Sequence, residues 1–147
     1  MYMLDTNICI YLINSKSTQL AKKIASINHN EVFVSTITQS ELEYGVSKSQ
    51  YTDKNTYALK MFLSTVTVIA YDTKAAEVYG DIRYELERKG ETIGAMDMLI
   101  ASHAKSNGYT LITNNVKEFE RVSGLNIENW VDDEESVKGV INSKNDN

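Results

Sequence analysis

Short apolar runs alternate along the chain with longer segments in which apolar side chains recur every three or four positions. The short runs predict five strands: Tyr2 to Leu4, Val32 to Ser35, Val66 to Ala70, Tyr109 to Thr113 and, with the weakest pattern, Leu125 to Glu128. Strands that alternate with helices are typical of a parallel sheet covered by helices. We therefore predict an α/β fold.

Helical patterns fill the gaps between these strands. The predicted helices begin at Thr6, after a cap at Ser17, at Thr36 or Thr38, at Asp53, at Thr73 and at Ala95. Gly90 and Gly108 follow the last two, where a helix commonly ends in a left-handed residue.

The length of 147 residues and the hydrophobic content of 42% fit one domain with a proper core. We place this domain at residues 1–131 and predict that 132–147 form a peripheral acidic C-terminal tail, because they offer few apolar side chains. The single cysteine, Cys9, excludes an intramolecular disulfide and indicates a reducing compartment. With no signal peptide and no membrane-length apolar run, we expect a cytoplasmic protein without a membrane partner.

The net charge of −5 argues at first against a nucleic-acid partner, since phosphate contacts usually come from basic surfaces. The tail, however, carries five acids against two lysines, so −3 of this charge lies outside residues 1–131. Net charge therefore does not exclude RNA or DNA.

Four acidic residues stand where predicted strands give way to helices, or close to such a point: Asp5, Glu41, Asp97 and Glu118. In a parallel sheet the carboxyl ends of strands and the starts of the following helices lie at one edge, where ligand crevices form. A right-handed crossover would bring Asp97 to the same edge. We expect the four carboxylates to meet there.

Carboxylates about 5 Å apart repel by roughly 3 kcal/mol per pair at an effective dielectric near 20, so a divalent cation is the expected occupant. An all-oxygen ligand set suits Mg²⁺, or Mn²⁺, better than zinc, and neither His29 nor His103 is placed to contribute. The hypothesis is hydrolysis of a phosphodiester, with Asp5 and Asp97 as metal ligands. Glu41 would act through water or orient the nucleophile, and Glu118 would hold a second ion or a water.

Each acid also has a plain structural interpretation. Asp5 and Asp97 suit the first turn of a helix, and Glu41 with Thr38, or Glu118 with Asn115, fits a capping box. Thr6, Thr113 and Asn115 could support the carboxylates through hydrogen bonds, or serve only turns and caps. Two further groups of residues have two open interpretations each. The basic residues could contact phosphates or simply carry surface charge: Lys48, Lys117 and Arg121. The tyrosines could stack on bases or line a partner groove, or they could pack in the core or an interface: Tyr44, Tyr51 and Tyr57.

Four segments in this order carry a family resemblance: MLDTN, SELEYGV, GAMDMLIASHA and LITNNVKEFERVSGLNIENW. Over residues 1–131 the chain resembles a PIN-domain ribonuclease toxin of the VapC type, from type II toxin–antitoxin systems. The resemblance implies a Rossmann-like three-layer α/β/α sandwich with a mainly parallel sheet of four to five strands.

The resemblance further implies a Mg²⁺-dependent endoribonuclease, with transfer RNA as an expected substrate and a cognate antitoxin lying across the toxin groove. Asp5, Glu41 and Asp97 match the three acids of the family. The fourth position falls on Glu118 or Asn115, and we choose Glu118 because Asn115 carries no charge. Dimerisation through helices near residues 36–66 is also expected, as a homodimer or within a toxin–antitoxin hetero-oligomer.

Two rival functions remain. A phosphatase of the haloacid-dehalogenase type needs a second aspartate two positions after the first, where this chain has Asn7. A catalytically silent PIN-like module that binds RNA or protein would keep the fold and lose an acid. Asp5, Glu41 and Asp97 are all present, which favours the enzyme.

Overall fold

The computed structural model describes residues 1–131. Within them five strands form one parallel sheet in the order β3-β2-β1-β4-β5. The strands are β1 Tyr2–Leu4, β2 Val32–Ser35, β3 Thr67–Ile69, β4 Thr110–Ile112 and β5 Ile127–Glu128. The predicted α/β fold is confirmed, whereas the predicted tail at 132–147 lies outside the described residues.

Seven α-helices connect these strands in the described part of the chain, and a short 3₁₀ turn at His29–Glu31 precedes β2. The helices are α1 Thr6–Ile13, α2 Thr18–Ala25, α3 Thr36–Ser47, α4 Thr52–Leu63, α5 Thr73–Lys89, α6 Ala95–Asn107 and α7 Val116–Phe119. Gly90 and Gly108 end α5 and α6 with φ of 68° and 69°, as predicted.

Neighbouring residues of the central strands face opposite sides of the sheet. Met3 and Leu111 belong to the apolar core beneath α5 and α6, and Leu4 and Ile112 belong to the core beneath α1 and α2. Both sheet faces are therefore buried, which explains why these strands read as continuous apolar runs. The result is the expected three-layer α/β/α arrangement.

Three strands, β3, β4 and β5, are shorter than their apolar runs predict. β5 pairs with β4 at only two positions, Leu111 with Ile127 and Ile112 with Glu128. Leu125 packs on the core from the preceding loop instead. The helix predicted to start at Asp53 begins at Thr52, after Tyr51, whose side chain makes no capping hydrogen bond.

The position of β1 fixes the position of the acidic residues. β1 lies between β2 and β4, and Asp5 follows it directly.

Among the described residues no helix is both long and apolar enough to span a bilayer.

Candidate active site

Asp5 lies buried at the carboxyl end of the central strand. Its backbone N–H donates to the Ile112 carbonyl at 3.1 Å, which extends the β1 and β4 pairing by one residue. Its side chain caps α1 by accepting from the Ile8 N–H at 2.9 Å. Burial raises the pKa of Asp5 to about 6 and the charge of Glu41 adds to this, against the opposing hydrogen bonds from Thr113 and Ile8.

Thr113 supports Asp5 from the neighbouring strand end. The fully buried Thr113 hydroxyl accepts from the Asn115 N–H at 2.9 Å, so its own proton is free to donate to Asp5. Asn115 takes the cap position of α7, but its side chain makes no capping hydrogen bond. The predicted capping box between Asn115 and Glu118 is therefore wrong.

Glu41 is oriented by the first residue of α1. Thr6 Oγ1 lies 2.6 Å from Glu41 Oε1 and donates to it, while Thr38 Oγ1 lies 3.4 Å from the same hydroxyl. The predicted capping box of Thr38 with Glu41 is wrong, because α3 begins earlier, at Thr36. Ser35 provides the cap instead, accepting from the Ile37 N–H at 3.1 Å.

Asp97 lies half-buried in the first turn of α6 and interacts with the other three acids. Its pKa is raised to about 7, first by burial, then by the charge of Glu118 and a hydrogen bond with that carboxyl, then by the charges of Asp5 and Glu41. The structure thus places Asp5, Glu41 and Glu118 within electrostatic range of Asp97. The assignment of the fourth position to Glu118, which contacts Asp97, stays a prediction.

A cation site requires suitable donors and adequate geometry. Within residues 1–131, no three acidic, histidine or cysteine side chains are already close enough to form a complete ligand set. The donor chemistry nevertheless fits a hard cation, because carboxylates whose pKa is raised by burial and, to a smaller extent, by neighbouring carboxylates are stabilised in their ionised form by a positive charge.

The two histidines lie away from these carboxylates, as predicted. The buried His103 Nδ1 lies 2.7 Å from Ser35 Oγ, and His29 is exposed in the 3₁₀ turn before β2. An oxygen-only donor set therefore remains the relevant one for a metal.

Three residues close to the acids were missed by the sequence reasoning. Asn114 Nδ2 donates to the Tyr11 hydroxyl at 3.1 Å and so ties the loop after β4 to α1. A Cβ on Gly94 would lie 3.4 Å from Asp97 Oδ2. The repeated Asn of the TNN segment was a signal for the first contact, whereas the Gly94 contact depends on spatial proximity that no local pattern shows.

The predicted basic residues have mainly local contacts. Lys48 Nζ lies 5.1 Å from the centre of the Tyr44 ring, and Arg121 Nη1 donates to the Thr92 carbonyl at 3.1 Å. Lys117 is exposed on α7. None of these contacts identifies a phosphate site.

Three tyrosines that could have packed into the core are exposed instead. Tyr44, Tyr51 and Tyr57 have 66%, 69% and 68% of their surfaces accessible. Core packing is therefore wrong for all three, and a role in binding a partner or RNA stays a prediction.

The PIN domain family matches residues 2–125. Ribonuclease VapC2 of Rickettsia felis is 45% identical over 130 residues, which cover 88% of this chain and 97% of that protein. The chain is a PIN-domain protein of the VapC ribonuclease type. The tRNA(fMet)-specific endonuclease VapC of Shigella flexneri is 43% identical over 129 residues, covering 88% of this chain and 97% of that one.

Solved structures of VapC-type proteins share this fold closely. In the crystal structure of VapBC2 from Rickettsia felis bound to a promoter DNA fragment, the similar chain has a TM-score of 0.85 and 44% identity, covering 88% of this chain and 98% of that one. In the crystal structure of DNA-bound VapBC from Salmonella typhimurium, the similar chain has a TM-score of 0.85 and 42% identity, covering 88% of this chain and 98% of that one. The predicted PIN fold and family are confirmed.

Proposed function

We propose that this VapC-type ribonuclease is a Mg²⁺-dependent endoribonuclease toxin that hydrolyses transfer RNA and is neutralised by a cognate antitoxin. The observation that carries the proposal is the identity of 43% to 45%, over almost their whole length, with two VapC ribonucleases; the interaction of Asp97 with three other acids, which helps to raise its pKa, supports it. Perturbed acids that gather at the carboxyl edge of a parallel sheet are typical of a catalytic site. The ribonuclease names of the relatives, one of them specific for tRNA(fMet), support RNA as the substrate.

Asp5 and Asp97 would hold Mg²⁺, or Mn²⁺, between β1 and α6. The bound ion would supply a water of lowered pKa and neutralise the charge that develops on the phosphoryl group. Thr113 and the Ile8 N–H orient the Asp5 carboxylate through their hydrogen bonds. Such supporting contacts fix a ligand before the metal arrives.

Glu41 and Glu118 would act on water at the margin of this site. Thr6 occupies Glu41 Oε1, which leaves the other oxygen of that carboxylate to orient a nucleophilic water. Glu118 shares a hydrogen bond with Asp97, whose raised pKa lets the Asp97 carboxyl hold a proton near neutral pH. Glu118 would hold a second ion or a bound water when Asp97 is ionised.

The antitoxin would occupy a surface groove of about 230 Å³ that Glu41 helps to line. Its walls come from α1, α3 and α4, and they include Ile10, Ile13, Leu42, Val46, Leu59 and the acid Glu41. An apolar segment in this groove would therefore lie against the site. The VapBC complexes among the similar structures support a partner of this kind.

The exposed tyrosines of α3 and α4 fit the expected dimer contact within residues 36–66. Tyr44 and Tyr57 lie in these two helices, and each is about two-thirds exposed. Exposed tyrosines are common in interfaces.

We place the active protein in the cytoplasm, where transfer RNA and the antitoxin are available.

One observation favours a second candidate, a silent module that binds RNA or protein. The described residues contain no preformed set of three metal ligands. A module of this kind would bind RNA and leave it intact. The cleavage assay below separates the two functions.

Purified protein free of antitoxin is incubated with a transfer RNA mixture and Mg²⁺. We expect discrete cleavage products that disappear with EDTA and in Asp97→Asn, while the control Asp81→Asn, an exposed acid on α5, cleaves like the parent. Cleavage that persists in EDTA would exclude the metal-dependent mechanism. Binding without cleavage, in Mg²⁺ or Mn²⁺, would support the silent module.

A further inference from the structure

A buried hydrogen bond joins α6 to the start of α3. His103 Nδ1 and Ser35 Oγ are 2.7 Å apart, and both residues are almost fully buried. The Ser35 oxygen also accepts from the Ile37 N–H. Because the Ser35 oxygen already accepts one hydrogen bond, Nδ1 of a neutral His103 is well placed to accept the Ser35 hydroxyl proton.

The direction of this hydrogen bond depends on the tautomer of the imidazole. A histidine that accepts at Nδ1 is neutral and carries its proton on Nε2. Burial lowers the pKa of His103, against a smaller opposing effect of Asp72, which agrees with a neutral ring. The bond therefore persists under the neutral conditions in which the acids would bind a cation.

The two residues of this contact are each separated from one of the acids by the same number of residues. His103 follows Asp97 by six residues on α6, and Glu41 follows Ser35 by six residues on α3. Six residues correspond to about 9 Å along a helix, a length over which a helix is stiff. A displacement at the buried contact would therefore be carried to both acids.

Tyr71 reinforces the same junction. Its ring meets the His103 ring edge-on, with centres 5.5 Å apart. Its N–H donates to Thr36 Oγ1 at 3.1 Å, and its hydroxyl lies 3.1 Å from Ser102 Oγ. Tyr71 thus contacts the first residue of α3 and the residue before His103 on α6.

We propose that His103 is a positioning residue: by accepting the Ser35 hydroxyl proton it holds α6 in register with α3 and sets the separation of Asp97 and Glu41. The inference rests on the proposed metal-dependent function and adds a residue that is neither a ligand nor a substrate contact. It gives the histidine of the IASHA segment a defined task.

The test compares His103→Leu, which removes the acceptor, with His103→Asn, whose Oδ1 is as many bonds from Cα as the imidazole Nδ1. Ser106→Ala is the control, because this α6 hydroxyl donates to a carbonyl of its own helix. Two quantities are measured: the Kd for Mn²⁺ by calorimetry, and the amide NMR shifts of Thr6 and Glu41 without metal.

We expect His103→Leu to weaken Mn²⁺ binding roughly 10-fold, as loss of a supporting contact commonly does, and to shift the Glu41 amide. His103→Asn should return both quantities close to those of the parent, and Ser106→Ala should change neither. An unchanged Kd with an unshifted Glu41 in folded His103→Leu overturns the proposal. Equal losses in the Leu and Asn variants also overturn it, because they would reflect packing alone.

If His103→Leu does not fold, Ser35→Ala takes its place and is compared with Ser17→Ala, which removes the cap of α2 instead. We then expect the Asp97 amide to shift only in Ser35→Ala, and no shift there rejects the positioning role. Failure of the parent protein to bind Mn²⁺ would reject the metal-dependent function. The metal-free NMR comparison would still decide the role of His103.

Discussion

Thr6 and Glu41 are joined by a hydrogen bond of 2.6 Å although 35 positions separate them in sequence. Thr6 is the first residue of α1, directly after Asp5, and Glu41 lies in the middle of α3. The bond fixes one oxygen of Glu41 beside the end of β1. A threonine that a local pattern assigns to capping therefore orients an acid of the candidate site.

Thr6→Val tests this relationship, because valine keeps the shape of threonine and removes the hydroxyl. We expect RNA cleavage to fall roughly 10- to 100-fold, the usual cost of losing a contact that orients a ligand. The melting temperature should change little. Cleavage rates and thermal melts are compared with Thr18→Val, which alters the equivalent first residue of α2. Equal rates in Thr6→Val and the parent would show that this bond has no catalytic role.

The raised pKa of Asp97 predicts how metal-free stability depends on pH. Below about pH 4 this carboxyl is protonated in both folded and unfolded chains. As the pH rises towards 7, the folded chain keeps a proton that the unfolded chain has released, so stability falls. Asp5, with a pKa of about 6, adds to the same slope.

Asp97→Asn should reduce this slope and raise metal-free stability at pH 8 by roughly 1 to 2 kcal/mol, a value discounted because the group is only half-buried. Chemical denaturation at pH 5 and pH 8 measures the change. Asp81→Asn serves as an exposed control. A parent protein that becomes more stable between these pH values, in EDTA, would contradict the predicted repulsion.

Glu118→Gln tests whether Glu118, rather than Asn115, occupies the fourth position of the candidate site. Glutamine removes a negative charge and cannot share a proton as a carboxyl does, so the pKa of Asp97 should fall from about 7 towards its ordinary value. Carbon-detected NMR titration of Asp97 measures this directly. Glu120→Gln, an exposed acid nearby, should leave the titration unchanged. Identical titrations of Asp97 in the Glu118→Gln variant and the parent would show that Glu118 is not part of the site.

Tyr11→Phe tests the link between α1 and the loop after β4. The variant loses the hydrogen bond from Asn114 and keeps the ring in place. We expect the rate of RNA cleavage to fall several-fold while the Kd for Mn²⁺ stays constant, since neither residue belongs to the proposed ligands. Tyr84→Phe, on the exposed face of α5, is the matched control. A weakened Kd for Mn²⁺ would instead assign Tyr11 to the metal site.

The sequence predicted the sheet and the four acids because both follow from local patterns. Apolar runs mark strands buried on both faces, and an acid directly after such a run marks the carboxyl edge. The strand order was not predicted; the structure places β1 between β2 and β4, so Asp5 follows a central strand.

Contacts between distant segments could not be predicted in the same way. Thr38 with Glu41 matches a capping box in sequence, yet Ser35 begins α3 and Thr6 binds Glu41. His103 lies on the far side of its helix from Asp97, and only the packing of α6 against α3 shows its contact with Ser35. Such pairs depend on tertiary geometry that no spacing rule contains.

The most direct test of the acidic site is a crystal structure of the protein with Mn²⁺, measured at the manganese absorption edge. We predict an anomalous peak in contact with carboxylate oxygens of Asp5 and Asp97, with the Thr6 bond to Glu41 retained. Occupied manganese positions elsewhere on the molecule, with Asp5 and Asp97 unliganded in crystals of a preparation that cleaves RNA, would contradict the account.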